Sequence, residues 1–261
     1  GSTSVRLAAT VMLVRPAATG PLEVLMLRRS AASPFAPGAY VFPGGTLDEN
    51  DSSEKTLAHC VGLDGERISR ELRARAITTV PADIVLPTPA QAAGLYVAAL
   101  RELYEEAGIL LACDRDGNVV PSPNDPVARN RSFMELLHER SLFADARTLA
   151  FFSHWITPPA ESRRFSAHFF VAKAWPEAIG AADAFETHDE IWIAPQDALD
   201  RFAAGSFKLM YPTVKHLERL TIFSDADALL RFAREKRVSS IMPDTPVAGG
   251  YAIAPQLERK W

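Results

Sequence analysis

The sequence contains almost no cysteine, and this scarcity excludes two classes of protein. Its two cysteines, Cys60 and Cys113, are too few for a disulfide framework and form no Cys-x-x-Cys pair of the kind that binds zinc. A chain without a disulfide framework is typical of a reducing compartment. We therefore expect a cytoplasmic location.

Long apolar runs and an excess of charge of one sign are also missing. No apolar run reaches the roughly 18 residues of a membrane span, and no basic segment followed by an apolar one stands at the start, so neither a span nor a signal peptide is expected. The 28 basic and 32 acidic residues give a net charge of -4, which argues against nucleic acid or a membrane as partner. The 48% of hydrophobic residues indicates a globular protein with a sizeable core.

The pattern along the 261 residues divides the chain into a main domain and additions. Apolar runs at 5–14 and 22–27 predict a strand hairpin, whereas residues 52–87 lose strand character and are interpreted as an insertion. The expected units are a main domain over 1–204, a helical extension over 205–240 and a tail over 241–261. The apolar stripe within 229–232 predicts core packing or a homodimer contact.

A long helix with clear end signals follows the insertion. Thr88 is suited to the N-cap, Pro89 to the first helical position, and Gln91 completes a capping box three residues after the cap. Gly108 is suited to the left-handed conformation that ends helices. We expect a helix from Pro89 to Ala107.

Three glutamates share one face of this predicted helix. Glu102, Glu105 and Glu106 stand at positions i, i+3 and i+4, within a single turn. Three like charges so close destabilise a helix unless a cation lies among them, and hard oxygen ligands suit Mg²⁺ or Mn²⁺. The pattern predicts a platform for a divalent cation, with a solvated acidic face as the alternative.

The sequence around these glutamates resembles the Nudix hydrolase signature. That signature is a glycine, five residues, a glutamate, seven residues, and then Arg-Glu-U-x-Glu-Glu-x-Gly-U, in which U is aliphatic. Gly45 matches the first glycine, and residues 101–109 match every fixed position of the second half. Asp51 stands where the family has the first glutamate, and residues 52–100 replace the seven-residue spacer.

The resemblance implies an α/β (α+β) fold, namely an α/β/α sandwich with a mixed central sheet, an insertion in the signature and a helical extension. It implies hydrolysis of a nucleoside diphosphate linked to another moiety, with Mg²⁺ or Mn²⁺ held by the three glutamates. One carboxylate would take the proton of the attacking water, while Arg101 would brace the loop through an ion pair. Asp51 or Asp48 would replace the missing glutamate in holding that loop.

Further segments are similar to the branch of Nudix enzymes that cleaves coenzyme A and acyl-coenzyme A. The downstream segments that carry this likeness are 154–158, 163–165 and 169–170. The upstream residues that match the coenzyme A pattern are Arg29, Ser30, Gly38 and 42–45, whereas Pro34 stands where that pattern has arginine. We expect coenzyme A or an acyl-coenzyme A as substrate. The alternatives are ADP-ribose, a nucleotide sugar or a dinucleotide as substrate, or a Nudix ligand sensor without turnover.

The candidates for binding the substrate are Arg29, Arg164, Phe35, Tyr40, Gly44 and Gly45. Arginine forks suit phosphate oxygens, and Arg164 is the stronger candidate because the Arg-Phe pair falls within the shared segment. Phe35 and Tyr40 either stack on an adenine base or pack the loop. The family also often places a further metal ligand before a late strand, and Glu186 occupies that place here, with a solvated acidic turn as the alternative.

Overall fold

The computed structural model describes residues 4–75, 84–122, 130–174, 190–244, 250–259 and 261. Its strands are β1 Val5–Arg15, β2 Glu23–Arg28, β3 Tyr40–Val41, β4 Gly44–Thr46, β5 Cys60–Val61, β6 Ala112–Cys113, β7 Phe143–Asp145, β8 Ala150–Ile156, β9 Arg164–Lys173, β10 Glu190–Ile193 and β11 Ser240–Ile241. Its helices are α1 Glu54–Leu57, α2 Gly65–Arg75, α3 Pro89–Ala107, α4 Phe133–Glu139, α5 Pro195–Ala203, α6 Tyr211–Leu220, α7 Ala226–Glu235 and α8 Pro255–Glu258.

Eight of the described strands form a mixed main sheet of the order β10-β2-β1-β9-β8-β11, with β3 added to β2 and β4 added to β1. β1 and β2 are antiparallel neighbours, so the predicted hairpin is confirmed. β1 also runs parallel to β9 along nearly its whole length, which makes it the central strand that carries β4. The expected mixed sheet is confirmed.

Both faces of this sheet are buried, because alternate residues of β1 enter two different cores. Val11 and Leu13 belong to the core beneath α3, whereas Met12 and Val14 belong to the core beneath α5, α6 and α7. The helices of the 205–240 extension therefore cover one face of the main sheet. In the apolar stripe of α7, Leu229 and Leu230 are buried, and Phe232 is 42% exposed.

The long helix α3 begins and ends where the sequence predicts. The Thr88 hydroxyl accepts from the Gln91 backbone N–H while the Gln91 side chain accepts from the Thr88 backbone N–H, so the capping box is complete. Gly108 takes a left-handed conformation with φ of 68° and ends the helix. The buried face of α3 packs on β1, and this fixes the position of its glutamates relative to the sheet.

The insertion contains more regular structure than its sequence indicates. Its β5 pairs with β7 in a second, three-stranded sheet of order β5-β7-β6. A two-residue strand is too short to show an alternating pattern, so this element was not predicted. Within the described part of the chain, no helix is long and apolar enough to cross a bilayer.

Candidate active site

The first two residues of β4 are glycines that lie against β1 and the acidic helix, and with the bend at Pro43 before them they are called the Gly44–Gly45 turn. Gly44 and Gly45 lie opposite Thr10 and Ala9 of β1. A side chain at Gly44 would approach the Ala9 carbonyl oxygen to 2.5 Å, and a side chain at Gly45 would collide with the carboxylate of Glu102. Position 44 therefore requires glycine, whereas a side chain at position 45 would force the Glu102 carboxylate to move, and the turn forms one wall of the site.

Arg101 connects this turn to the carboxylates of α3. Its Nε and Nη2 donate to the two oxygens of Asp51 at 2.8 and 3.0 Å, and its Nη1 donates to Glu102 and Glu105 at 2.9 and 3.0 Å. The Asp51 side chain is only 3% exposed. Burial opposes the Arg101 charge, but the bonds to Asp51 and the nearby glutamates outweigh it and raise the pKa of Arg101. This is the loop-bracing ion pair that the Nudix resemblance implies.

Asp48 and Asp51 have separate tasks in holding the loop. Asp48 caps the short turn Glu49–Ser52 and accepts from the Asn50 N–H at 2.9 Å. The Asp48 N–H donates to the second oxygen of Asp51, also at 2.9 Å. Of the two aspartates considered as substitutes for the family's glutamate, Asp51 is thus the one that pairs with Arg101.

Glu106 faces the glycine turn, where its Oε1 accepts from the Gly44 N–H at 2.8 Å. Although Glu106 is on the surface, protein atoms crowd its carboxyl group, and the loss of hydration raises its pKa to about 7. The negative charges of Glu102 and Glu105 add to this increase, while the Gly44 N–H and Arg29 oppose it. Burial also raises the pKa of Glu102, against the opposing effect of Arg101.

These carboxylates suit a hard divalent cation, which Nudix hydrolases generally require. Among the described residues, no three acidic, histidine or cysteine side chains form a ready ligand set, and Arg101 bridges Glu102 and Glu105. The donors are nevertheless all oxygens, and the charges of Glu102 and Glu106 disfavour one another. A cation placed among them would remove that repulsion, so the residues fit the metal.

Arg29 organises the loop that faces Glu106. Its Nε donates to the Phe35 carbonyl oxygen at 2.9 Å and its Nη2 to the Ser33 hydroxyl at 3.0 Å. The guanidinium also lies 5.7 Å from the centre of the Phe35 ring, whose edge contacts Phe165. Arg29 and Phe35 are therefore both used in packing the loop, and Arg29 is close enough to Glu106 to affect its pKa.

The structure does not bring two other candidates, Tyr40 and Arg164, to the carboxylates. The Tyr40 ring stacks on Phe207 with 3.9 Å between ring centres, which fits its packing interpretation. Arg164 is 4% exposed and donates from Nε to the Thr157 carbonyl oxygen at 3.0 Å. It lies beside Val5, which is four residues, or about 13 Å, along β1 from the strand position opposite Gly45. Glu186 lies outside the described residues.

A mixed sheet between helices, with an Arg-braced acidic helix against a Gly-Gly turn, defines a Nudix domain. The family model described as the NUDT19 Nudix domain matches residues 1–220, and the chain belongs to this family of Nudix hydrolases.

Relatives and a solved structure agree with this assignment. The chain is 29% identical over 268 residues to the acyl-coenzyme A diphosphatase NUDT19 of Gallus gallus, and the aligned region covers 89% of this chain and 70% of that relative. The Xenopus laevis protein of the same name is 27% identical, and 82% of this chain spans 63% of its length. A crystal structure of a Nudix hydrolase from Alicyclobacillus acidocaldarius has a TM-score of 0.63 and 27% identity, with 88% of this chain and 97% of that chain covered.

Proposed function

We propose that this protein is a hydrolase of the diphosphate bond in coenzyme A or an acyl-coenzyme A, dependent on Mg²⁺ or Mn²⁺. The observation that carries the proposal is the convergence of Glu102 and Glu106 on the Gly44–Gly45 turn, with Arg101 holding the turn to the helix. The relatives named acyl-coenzyme A diphosphatase support the choice of substrate.

The residues of the site divide the work of hydrolysis. Glu102, Glu105 and Glu106 would hold the cation, with Glu186 proposed as a further ligand. When bound, a divalent cation offsets the charge of the two phosphates and lowers the pKa of water. A carboxylate of the site then takes the proton of the attacking water. Nε and Nη2 of Arg29 already donate to Phe35 and Ser33 of the neighbouring loop, and we assign Nη1 of Arg29 to a phosphate oxygen of the substrate.

Attack of water on one phosphorus breaks the phosphoanhydride and leaves two phosphate monoesters. From coenzyme A these products are 3′,5′-ADP and 4′-phosphopantetheine. The net charge of -4 supports a small-molecule substrate without a nucleic acid or membrane partner, and the scarcity of cysteine supports a cytoplasmic setting. The exposed part of Phe232 on α7 is our proposed place for a homodimer contact.

A panel of diphosphate substrates with Mg²⁺ or Mn²⁺ tests the function. We expect release of 3′,5′-ADP from coenzyme A, no turnover in a chelator, and a loss of kcat of at least about 100-fold in Glu106→Gln. Glu71→Gln is the matched control, because Glu71 is an exposed helical glutamate that pairs only with Arg67 among the described residues. If no substrate of the panel is cleaved with either metal, the result would instead favour a ligand sensor. Full activity of Glu106→Gln would refute the assigned site.

A further inference from the structure

A cavity of about 550 Å³ adjoins the acidic helix on the side of the insertion. Its lining comes from three parts of the chain, namely the segment around α1, the acidic end of α3, and the start of α4. The described residues that line it are Asp48, Asn50, Asp51, Ser53, Lys55, Thr56, Arg101, Glu105, Ser132, Phe133 and Met134. Its volume falls in the range of about 300–1,000 Å³ that is usual for sites of small molecules.

Both walls of this cavity are fixed to α3. On one wall, the turn Glu49–Ser52 packs so closely on α3 that a side chain at Gly94 would collide with the Ser52 hydroxyl. On the other, the Tyr104 hydroxyl donates to the Arg131 carbonyl oxygen at 3.2 Å, and the Tyr104 ring contacts Phe133. The cavity is therefore preformed and opens directly beside Glu105.

The charges of the lining disfavour an anionic ligand. Three carboxylates, those of Asp48, Asp51 and Glu105, face two cations, and Arg101 is already bound to Asp51 and Glu105. Lys55 is the remaining cation among the described lining residues. Even when Glu105 holds a cation, Asp48 and Asp51 balance Lys55 and Arg101, so the described lining has no spare positive charge. A nucleotide with an extra phosphate would place two more negative charges here without a cation to pair with them.

The remaining lining groups suit a neutral chain of mixed polarity. Asn50 is exposed and offers a carboxamide that both donates and accepts, which complements an amide group. Met134 is half-buried and supplies apolar surface, and methionine adapts its shape to a flexible ligand, whereas Phe133 is buried in the core behind the lining. A chain with amide bonds and methylene groups satisfies both kinds of contact.

We propose that this cavity, built by the segment around α1 at the start of the insertion, by the acidic end of α3 and by the start of α4, binds the neutral pantetheine arm of the substrate. The inference rests on the proposed function and assigns the orientation of the substrate: the arm lies beside Glu105 and Met134, and the 3′-phosphoadenosine end lies away from the insertion. The two products separate these ends, because 4′-phosphopantetheine carries the arm and 3′,5′-ADP does not.

Calorimetric binding of the two products to the full chain, with Mg²⁺ present, tests this orientation. Met134→Trp and Asn50→Trp each fill the cavity, and Asn50 is an exposed position at which the larger residue leaves the core untouched. We expect both variants to raise the Kd of 4′-phosphopantetheine by about tenfold while the Kd of 3′,5′-ADP stays within twofold. Ile222→Trp is the matched control, since Ile222 is 66% exposed and far from the cavity in sequence, and it should change neither Kd.

Other outcomes overturn the orientation. If the variants weaken 3′,5′-ADP instead, and Lys55→Gln weakens it as well, the cavity holds the nucleotide end. If wild type cleaves coenzyme A but neither tryptophan alters either Kd, the cavity holds no part of the substrate and the proposed function stands. If wild type neither cleaves coenzyme A nor binds its products, the proposed function fails, and this inference fails with it.

Discussion

Removal of the Asp51 carboxylate tests whether the ion pair with Arg101 holds the site together. Asp51→Ala removes two charge-assisted hydrogen bonds from Arg101, at 2.8 and 3.0 Å, and the bond from the Asp48 N–H. Each charge-assisted bond is worth about 1.5–3 kcal/mol, and loss of one partner of a buried pair costs about 3–5 kcal/mol. Because the Arg101 side chain is 16% exposed and keeps its ion pairs with Glu102 and Glu105, we expect the free energy of unfolding to fall by about 4 kcal/mol.

Urea unfolding measures this loss of stability, and two further variants are compared with Asp51→Ala. Asp51→Asn keeps the shape and one good acceptor, so it should cost about half as much. Glu105→Gln also alters a partner of Arg101, but this carboxylate is 43% exposed and its replacement should cost less than about 1 kcal/mol.

A double-mutant cycle separates the pair from its surroundings. Asp51→Ala combined with Arg101→Met should cost at least about 2 kcal/mol less than the sum of the two single changes, because the double variant leaves neither the Asp51 carboxylate nor the Arg101 guanidinium buried without the other. The reasoning is wrong if Asp51→Ala costs no more than Glu105→Gln, or if the effects of the two changes simply add.

Three more tests, with four substitutions, have distinct expected results. Gly45→Ala displaces the flexible Glu102 carboxylate, so it should lower kcat by at least about 100-fold with little loss of stability. Gly44→Ala meets rigid backbone and should lower the free energy of unfolding by about 1–3 kcal/mol in urea. The same loss of kcat and of stability in both variants would contradict this. Burial lowers the pKa of His216 from 6.5 to about 3. The contribution of the neutral ring to the free energy of unfolding is therefore complete above pH 6.5 and falls as the pH drops, by about 2 kcal/mol at pH 5. His216→Gln should flatten the pH dependence of unfolding by that amount. Trp261 is 4% exposed in an aromatic cluster, and Trp261→Ala should cost about 3–5 kcal/mol, a result that an unchanged urea midpoint would refute.

Local signals in the sequence were sufficient for the helix that carries the site. Thr88 and Gly108 mark its two ends through interactions within a few residues, and the i, i+3, i+4 spacing of the glutamates follows from helix geometry alone. The partner of Arg101 was narrowed to two aspartates, and only the three-dimensional structure chooses Asp51. The choice depends on the turn Glu49–Ser52, whose cap uses Asp48.

Contacts between distant segments were not predictable in the same way. Arg164 was preferred over Arg29 for its place in a shared segment, yet the parallel pairing of β1 with β9 puts Arg164 near Val5, away from the Gly44–Gly45 turn. The cavity beside Glu105 was also missed, because its walls are separated by about half of the main domain in sequence. The signal that was available for Arg29 was its position just before the loop that leads to the glycine turn.

The attachment of β4 to β1 has a consequence for how the enzyme loses activity on heating. The amide that holds Glu106 belongs to Gly44, which is itself paired with a strand lying between both cores. This wall of the site can therefore separate only if β4 loses its pairing with β1, the central strand of the main sheet. Thermal inactivation and loss of the overall fold should then occur as one event, with no earlier melting of the segment that carries the site.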